Sequence, residues 1–252
     1  MSQSTSVLDL RELQPRALPL SPEALDRAIR SLESLERDGV PARLLPIQLR
    51  GNRTTTYQVA KRLLDVCGAL GLLMLFAPLM FGIWLVLMVT TRGRPIFKQT
   101  RVGEGGRLFT LYKFRTMVEN AEALQDRVRN ELDGPVFKNR SDPRVTRFGR
   151  WLRKFSLDEL PQLFNVLRGE MSLVGPRPPV PKEVLQYEPW QLDRLSVKPG
   201  LTGLWQVSGR ADLPFERWVE LDLEYVRRQS FWLDLKILLK TPIAVLSGKG
   251  AY

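Results

Sequence analysis

The stretch VCGALGLLMLFAPLMFGIWLVLMVTT, residues 66–91, runs for 26 residues without a charge. As a straight helix it would be about 39 Å long at ~1.5 Å per residue, against a hydrocarbon core of roughly 30 Å. A soluble core helix of this length and purity is not expected, so the run reads as a membrane anchor. Pro78 divides it into apolar pieces of 12 and 13 residues. Each is roughly 18–20 Å long, enough to reach only halfway into a bilayer. Proline removes a backbone donor and crowds the preceding turn, which predicts a bend. Lys61 and Arg62 precede the run, and Arg92, Arg94, Lys98 and Arg101 follow it. Positive residues mark the cytoplasmic side, and here both ends carry them. A helix that enters, breaks at Pro78 and returns to the same face satisfies both features. A kinked span is the alternative, and these features leave the two open. In a hairpin the backbone groups freed at the break need partners from Asn, Ser or neighbouring protein.

The other 226 residues belong to a chain of 252, long enough for one large domain or two small ones. With 38 Lys+Arg against 27 Asp+Glu, a net charge of +11 points to anionic partners. There is no histidine, which excludes imidazole acid–base catalysis, phosphohistidine intermediates and His-ligated metals. A single cysteine, Cys67, excludes an intrachain disulfide and a thiolate zinc site. The opening MSQSTSVLDLRELQP lacks the basic and apolar regions of a secretory signal.

Residues 21–39 predict a separate amphipathic helix: Ser21 caps it, Pro22 takes the first helical position and Gly39 stops it. Leu25, Ile29, Leu32 and Leu35 form its apolar stripe, suited to packing on the main domain or on a second subunit in a homodimer. Residues 92–252 hold 28 basic and 19 acidic residues, so nine of the eleven net charges lie there. RPIFKQTRVGEGGRLFTLYKFRTM (94–117) reads as a β-hairpin turning at 103–106; no GK[ST] follows the glycines, which disfavours a phosphate loop. Lys113 and Arg115, two apart, would share a strand face. TRFGRWLRK (146–154) predicts a short helix capped by Thr146, with Trp151 among basic residues, a pattern suited to lipid headgroups, substrate phosphates or nucleic acid.

SLDELPQLFNVLRG (156–169) carries adjacent carboxylates. Leu160, Leu163, Phe164 and Leu167 set a helical period and Gly169 ends it. Capping at Ser156 would place Pro161 where its missing N–H breaks a helical bond, so Asp158 is the preferred cap. There the helix dipole is expected to lower its pKa. Capping needs only one carboxylate. Adjacent helical side chains point about 100° apart, so Asp158 and Glu159 suit different tasks, one attacking and one holding a divalent cation. Arg177, between two prolines in MSLVGPRPPVP (171–181), is held on a stiff loop and matches phosphate oxygens. VKPGLTGLWQVSGR (197–210) is a Gly-rich loop with Thr202, Gln206 and Arg210, able to offer backbone N–H groups to an anion.

Taken together, KRLLDV at 61, the proline-broken run, YKFRTM, DPRVTRFGRWLRKFSLDELPQLFNVLRGEMSLVGPRP and VKPGLTGLWQVSGR resemble the bacterial sugar transferases, the monotopic phosphoglycosyl transferases. The resemblance covers about 58–252 and omits 1–57. It implies three regions: an N-terminal extension (1–57), a re-entrant membrane helix (58–92) and a cytosolic catalytic domain (93–252). The implied fold is α+β and mostly helical, with a small β-hairpin and amphipathic interfacial helices. The implied reaction moves a sugar-1-phosphate from a UDP-sugar to undecaprenyl (polyprenyl) phosphate with release of UMP, at the cytoplasmic face of a bacterial inner membrane. Asp158 matches the nucleophile that carries the phosphosugar, and Glu159 the Mg²⁺ ligand. Arg153 and Arg177 match phosphate-engaging or dyad-supporting positions, while Lys113, Thr202 and Gln206 fall in matching motifs. Nucleic acid is not an implied partner. The ending SGKGAY and the WQVSGR form favour a hexose. One departure is Ala77 before Pro78, where some compact members carry Ser. A second reading is a membrane-anchored assembly factor that binds headgroups or other anions without catalysis.

Overall fold

A computed structural model of the chain describes residues 51–250, apart from 53, 125–127, 132–133, 211–212 and 249. The helix expected at 21–39, and most of the 1–57 extension, lie outside the described residues. Helix α1, Thr55–Thr90, contains the whole apolar run except Thr91. After it come an antiparallel hairpin, β1 (Ile96–Val102) and β2 (Leu108–Phe114), and the short helix α2 (Arg147–Lys154). A 3₁₀ turn over Leu157–Gln162 leads into α3 (Leu163–Arg168) and strand β3 (Ser172–Val174). The chain then makes one helical turn, α4 (Pro181–Val184), and a 3₁₀ segment, Pro189–Ser196. It closes with β4 (Gly200–Thr202), α5 (Phe215–Arg228) and α6 (Phe231–Ser247). Mostly helical architecture with a small hairpin is as expected; the parallel pairing of β3 with β4 is an addition, because 197–210 reads locally as a loop.

Helix α1 is long and apolar enough to cross a membrane, and only Tyr57, Asp65, Ala69, Ile83 and Leu87 along it are buried. That burial pattern rules out the core-helix alternative. The helix assignment continues through Pro78, with helical segments on both sides. The two sides pack on the same domain. Ala69, with Leu72 and Leu73, joins a core made of Leu111, Leu163, Val166, Leu173 and Tyr225. Ile83 and Leu87 join a second core with Phe114 and Leu152. Between them Met74, Leu75 and Phe81 stand exposed around the proline.

The base of α1 is fastened by polar groups. Lys61 Nζ donates to Val174 O, Tyr225 Oη and Asp234 Oδ2 at 3.0–3.1 Å. Asp65 accepts from Ser172 Oγ and the Leu173 N–H. Arg62 donates to Val166 O at 2.8 Å and Leu167 O at 2.7 Å, adding to the Gly169 N–H that already bonds Val166 O at the C-terminus of α3. A third core, containing Tyr187, Trp205, Phe215 and Trp218, includes no residue of α1.

The helix expected to start at Asp158 begins later. Residues 157–162 form a 3₁₀ turn and α-helix starts at Leu163, so Asp158 lies within the turn instead of capping it. Pro161 explains the shift: it has no N–H for an α-type bond and disfavours α geometry at the residue before it. Gly169 ends α3 in the left-handed region, φ 80°, as its position predicts. Thr146 caps α2 by accepting from the Gly149 N–H.

The β3–β4 contact leaves no room for side chains at its end. A Cβ on Gly200 would sit 2.0 Å from the Gly175 nitrogen, a backbone atom that cannot step aside. Gly200→Ala is therefore expected to cost about 3 kcal/mol or more and to lower the thermal midpoint of the detergent-solubilised chain. Gly71→Ala, which meets nothing within 4 Å, leaves the midpoint unchanged or higher in the same assay.

Candidate active site

The 3₁₀ turn carrying Asp158 and Glu159 packs against β2, with Leu157 and Leu160 directed into the core shared with Ile83 and Leu87. Its two carboxylates enter different surroundings. Glu159 Oε1 receives a hydrogen bond from Lys113 Nζ at 2.7 Å, each side chain about one quarter exposed. Asp158 is buried, 7% exposed, and carries no direct ion pair among the described residues.

These surroundings separate the two groups electrostatically. Burial pushes the Asp158 pKa up; Lys113 and Arg153 pull it back in part while Glu159 opposes them, leaving it above the ordinary carboxylate value. The dipole-lowered value expected for a cap is thus reversed, because desolvation outweighs the field of so short a turn. Burial also acts on Glu159, but Lys113, then Arg210 and Arg177, outweigh it and hold this carboxyl below its ordinary value. The pair presents one firmly anionic group and one whose charge depends on neighbouring cations.

Arg153 comes from the last turn of α2, and its Nε donates to Thr116 Oγ1 at 3.0 Å. Arg177 follows β3. It pairs with the Glu183 carboxylate at 3.1 Å, and its carbonyl accepts from the buried Arg194, which also bonds Asp222 and the Tyr187 hydroxyl. Position 177 is therefore fixed by side chains as well as by the flanking prolines. Lys113, Glu159, Arg177 and Gln206 line one cavity of about 100 Å³. Thr202 does not line it; its hydroxyl bonds to that of Thr241 in α6. Arg115 falls beyond β2, half-buried, and donates to Arg94 O instead of sharing the strand face of Lys113.

Four groups join the site without having been singled out for it by sequence reasoning. Arg101, Gln162 and Trp205 line the same cavity. Arg210, noted only as a loop residue, donates to Ser156 Oγ at 3.1 Å. Both Ser156 and Arg210 have φ of 53°, a left-handed conformation costly for residues other than glycine. Such strain beside the acidic pair suggests a turn shaped by its chemistry. No group of three or more Asp, Glu, Cys or His able to enclose a metal occurs among the described residues.

The chain that builds this arrangement of an acidic pair, cations and an apolar helix belongs to the bacterial sugar transferase family, whose match spans residues 56–248. Among its relatives is the undecaprenyl-phosphate galactose phosphotransferase of Salmonella typhimurium, 46% identical over 199 residues, which are 76% of this chain and 41% of the relative. The UDP-glucose:undecaprenyl-phosphate glucose-1-phosphate transferase of Xanthomonas campestris is 37% identical over 252 residues, 94% of this chain and 49% of the relative. Exopolysaccharide production protein ExoY of Rhizobium meliloti is 43% identical over 200 residues, 77% and 88% of the two chains. The chain thus spans less than half the length of the first two.

Removing the ammonium group from Glu159 tests this charge balance. In Lys113→Met the pKa of Glu159 rises, since burial remains and its strongest counter-ion is lost. An infrared titration of the carboxylate band, assigned with Glu159→Gln, reports the shift; an unchanged midpoint would contradict the pairing.

Proposed function

We propose that the chain transfers a hexose-1-phosphate from a UDP-hexose to polyprenyl phosphate, releasing UMP and starting assembly of an exported polysaccharide. The observation that carries this reading is the division of labour in the acidic pair: Glu159 is ion-paired at the cavity, and Asp158 is buried beside it without a bonded cation. Relatives named for galactose and for glucose phosphotransfer to undecaprenyl phosphate support the reaction class.

An Asp158 carboxylate oxygen attacks the β-phosphorus of the donor. The bond between that phosphorus and the oxygen bridging to the α-phosphate breaks, and UMP leaves with the electron pair. An oxygen of polyprenyl phosphate then attacks the same phosphorus and releases Asp158. Neither nucleophile needs a base once ionised, so a site without histidine suffices. Lys113, Arg153 and Arg177 offset the negative charge that collects on the phosphoryl group in transfer.

Mg²⁺ fits this donor set. The protein offers Glu159, with few other oxygen ligands, and Mg²⁺ is commonly held by one or two carboxylates plus substrate phosphates. When bound it would neutralise charge on the diphosphate.

A re-entrant course for α1 suits the same reading. Residues on both sides of Pro78 pack on one domain while the apolar middle is exposed, as for a helix whose bend dips into one leaflet. Basic α2 with exposed Trp151, and α6 with exposed Trp232, Leu239, Ile243 and Leu246, suit the interface on the cytoplasmic side.

Three measurements test these statements. Asp158→Asn is expected to abolish UMP release from UDP-glucose and UDP-galactose, by at least about 10³-fold, and EDTA to do the same to the wild type. Mass spectrometry after incubation with donor alone should find a hexose-phosphate on Asp158; an active Asn variant rules out the nucleophile. For topology, single cysteines at Thr55 and Thr91 in a Cys67→Ser background are expected to react with an impermeant reagent from the same side. Labelling from opposite sides would mean a span.

A further inference from the structure

Arg101 is 9% exposed, and no carboxylate is bonded to it. Its Nη1 donates to Pro178 O at 2.8 Å and its Nη2 to Gln99 Oε1 at 2.6 Å, while the buried Nε has no partner. An enclosed guanidinium satisfied only by neutral oxygens is costly, more so beside a second cation. Burial first, and then the Arg177 guanidinium, push its pKa down to about 10. Two more buried polar atoms without partners, Trp205 Nε1 and Gln206 Oε1, belong to residues lining the same cavity as Arg101 and Arg177. The cavity, about 100 Å³, is small. Where one water needs roughly 10–15 Å³, it has room for a phosphoryl group with a few waters.

We propose that Arg101, with the indole N–H of Trp205, binds a phosphoryl group of the nucleotide donor on the Glu159 side of the site and holds the departing nucleoside monophosphate. The assignment rests on the transferase reading and adds two residues to it. Position favours the donor on the Arg101 side of the cavity, whose opposite wall, Leu111 and Leu201, packs in the core that includes Ala69 of α1. Val102, next to Arg101, and Trp205 itself pack in the core that includes no residue of α1. The turn bearing Asp158 instead packs against Ile83 and Leu87 of that helix. A phosphate arriving from the membrane along α1 meets the Asp158 side first; the Arg101 side is left to the water-soluble diphosphate. The donors match such a ligand, since guanidinium and indole N–H groups only donate and phosphoryl oxygens only accept.

The test uses the full chain in lipid nanodiscs with Mg²⁺, polyprenyl phosphate and UDP-glucose or UDP-galactose. Arg101→Gln is expected to raise the KM for the UDP-hexose and the inhibition constant of UMP about tenfold or more, the scale of one hydrogen bond to a charged group. The KM for polyprenyl phosphate stays unchanged, and Arg101→Lys recovers part of the loss. Trp205→Phe keeps the ring against Trp218, 4.7 Å away between centroids, and removes only the N–H. It should raise the same two donor constants about threefold, which keeps the test decisive if Arg101→Gln fails to fold. Unchanged donor constants overturn the proposal, as does a rise confined to the KM for polyprenyl phosphate, which would assign the cavity to the lipid. A wild type that releases no UMP overturns the proposed function itself. An active wild type with indifferent variants overturns only the assignment of Arg101 and Trp205.

Discussion

Lys61 and Arg62, at the foot of the apolar helix, hold the rest of the molecule in register. Lys61 enters a closed network with Asp234, Tyr225 and the carbonyl of Val174, and Tyr57 adds a further bond to Asp234. The Asp234 side chain is completely buried, so this ion pair tolerates loss of water because hydroxyl and carbonyl groups complete its bonding. Val174 ends the strand that leads to Arg177. Arg62 reaches the other way and closes the C-terminus of the helix that follows the acidic turn. Two neighbouring side chains thereby set α1 against both arms of the site.

The charge design follows from that placement. A strongly basic domain organised around two adjacent carboxylates would let a histidine-free protein handle diphosphates. Cations do not simply crowd the pair: Lys113 is bonded to Glu159, Arg153 to Thr116, Arg177 to Glu183 and Arg210 to Ser156. Each cation is held by a partner of its own, which limits the reorganisation needed when a phosphoryl group arrives. Arg101, like Arg153 and Arg210, is tied only to neutral oxygens, but it is buried where they are half-buried.

Much of this was legible locally. The apolar run, the hairpin with its turn at 103–106, the Thr146 cap and the Gly169 stop each depend on residues a few positions apart. Their physics is that of backbone geometry and side-chain period. The acidic pair stood out as a surplus beyond what capping needs. Its helix starts later than the local pattern predicts because a proline that suits the third helical position also favours a 3₁₀ turn. The Asp158 pKa departs from the value its position predicts for a related reason: the dipole is a local property, whereas desolvation depends on what the rest of the chain piles on top.

The sequence by itself determined that the chain has a long apolar helix containing a proline, a basic domain and an acid pair just ahead of a short helix, since composition and period survive without tertiary contacts. Only the tertiary structure decided that Lys113 meets Glu159 across 46 residues, that Thr202 faces α6, and that Arg101 and Trp205 share a cavity with Glu159. Those outcomes depend on which surfaces bury one another, and a side chain's partner at long range leaves no trace in its neighbours along the chain.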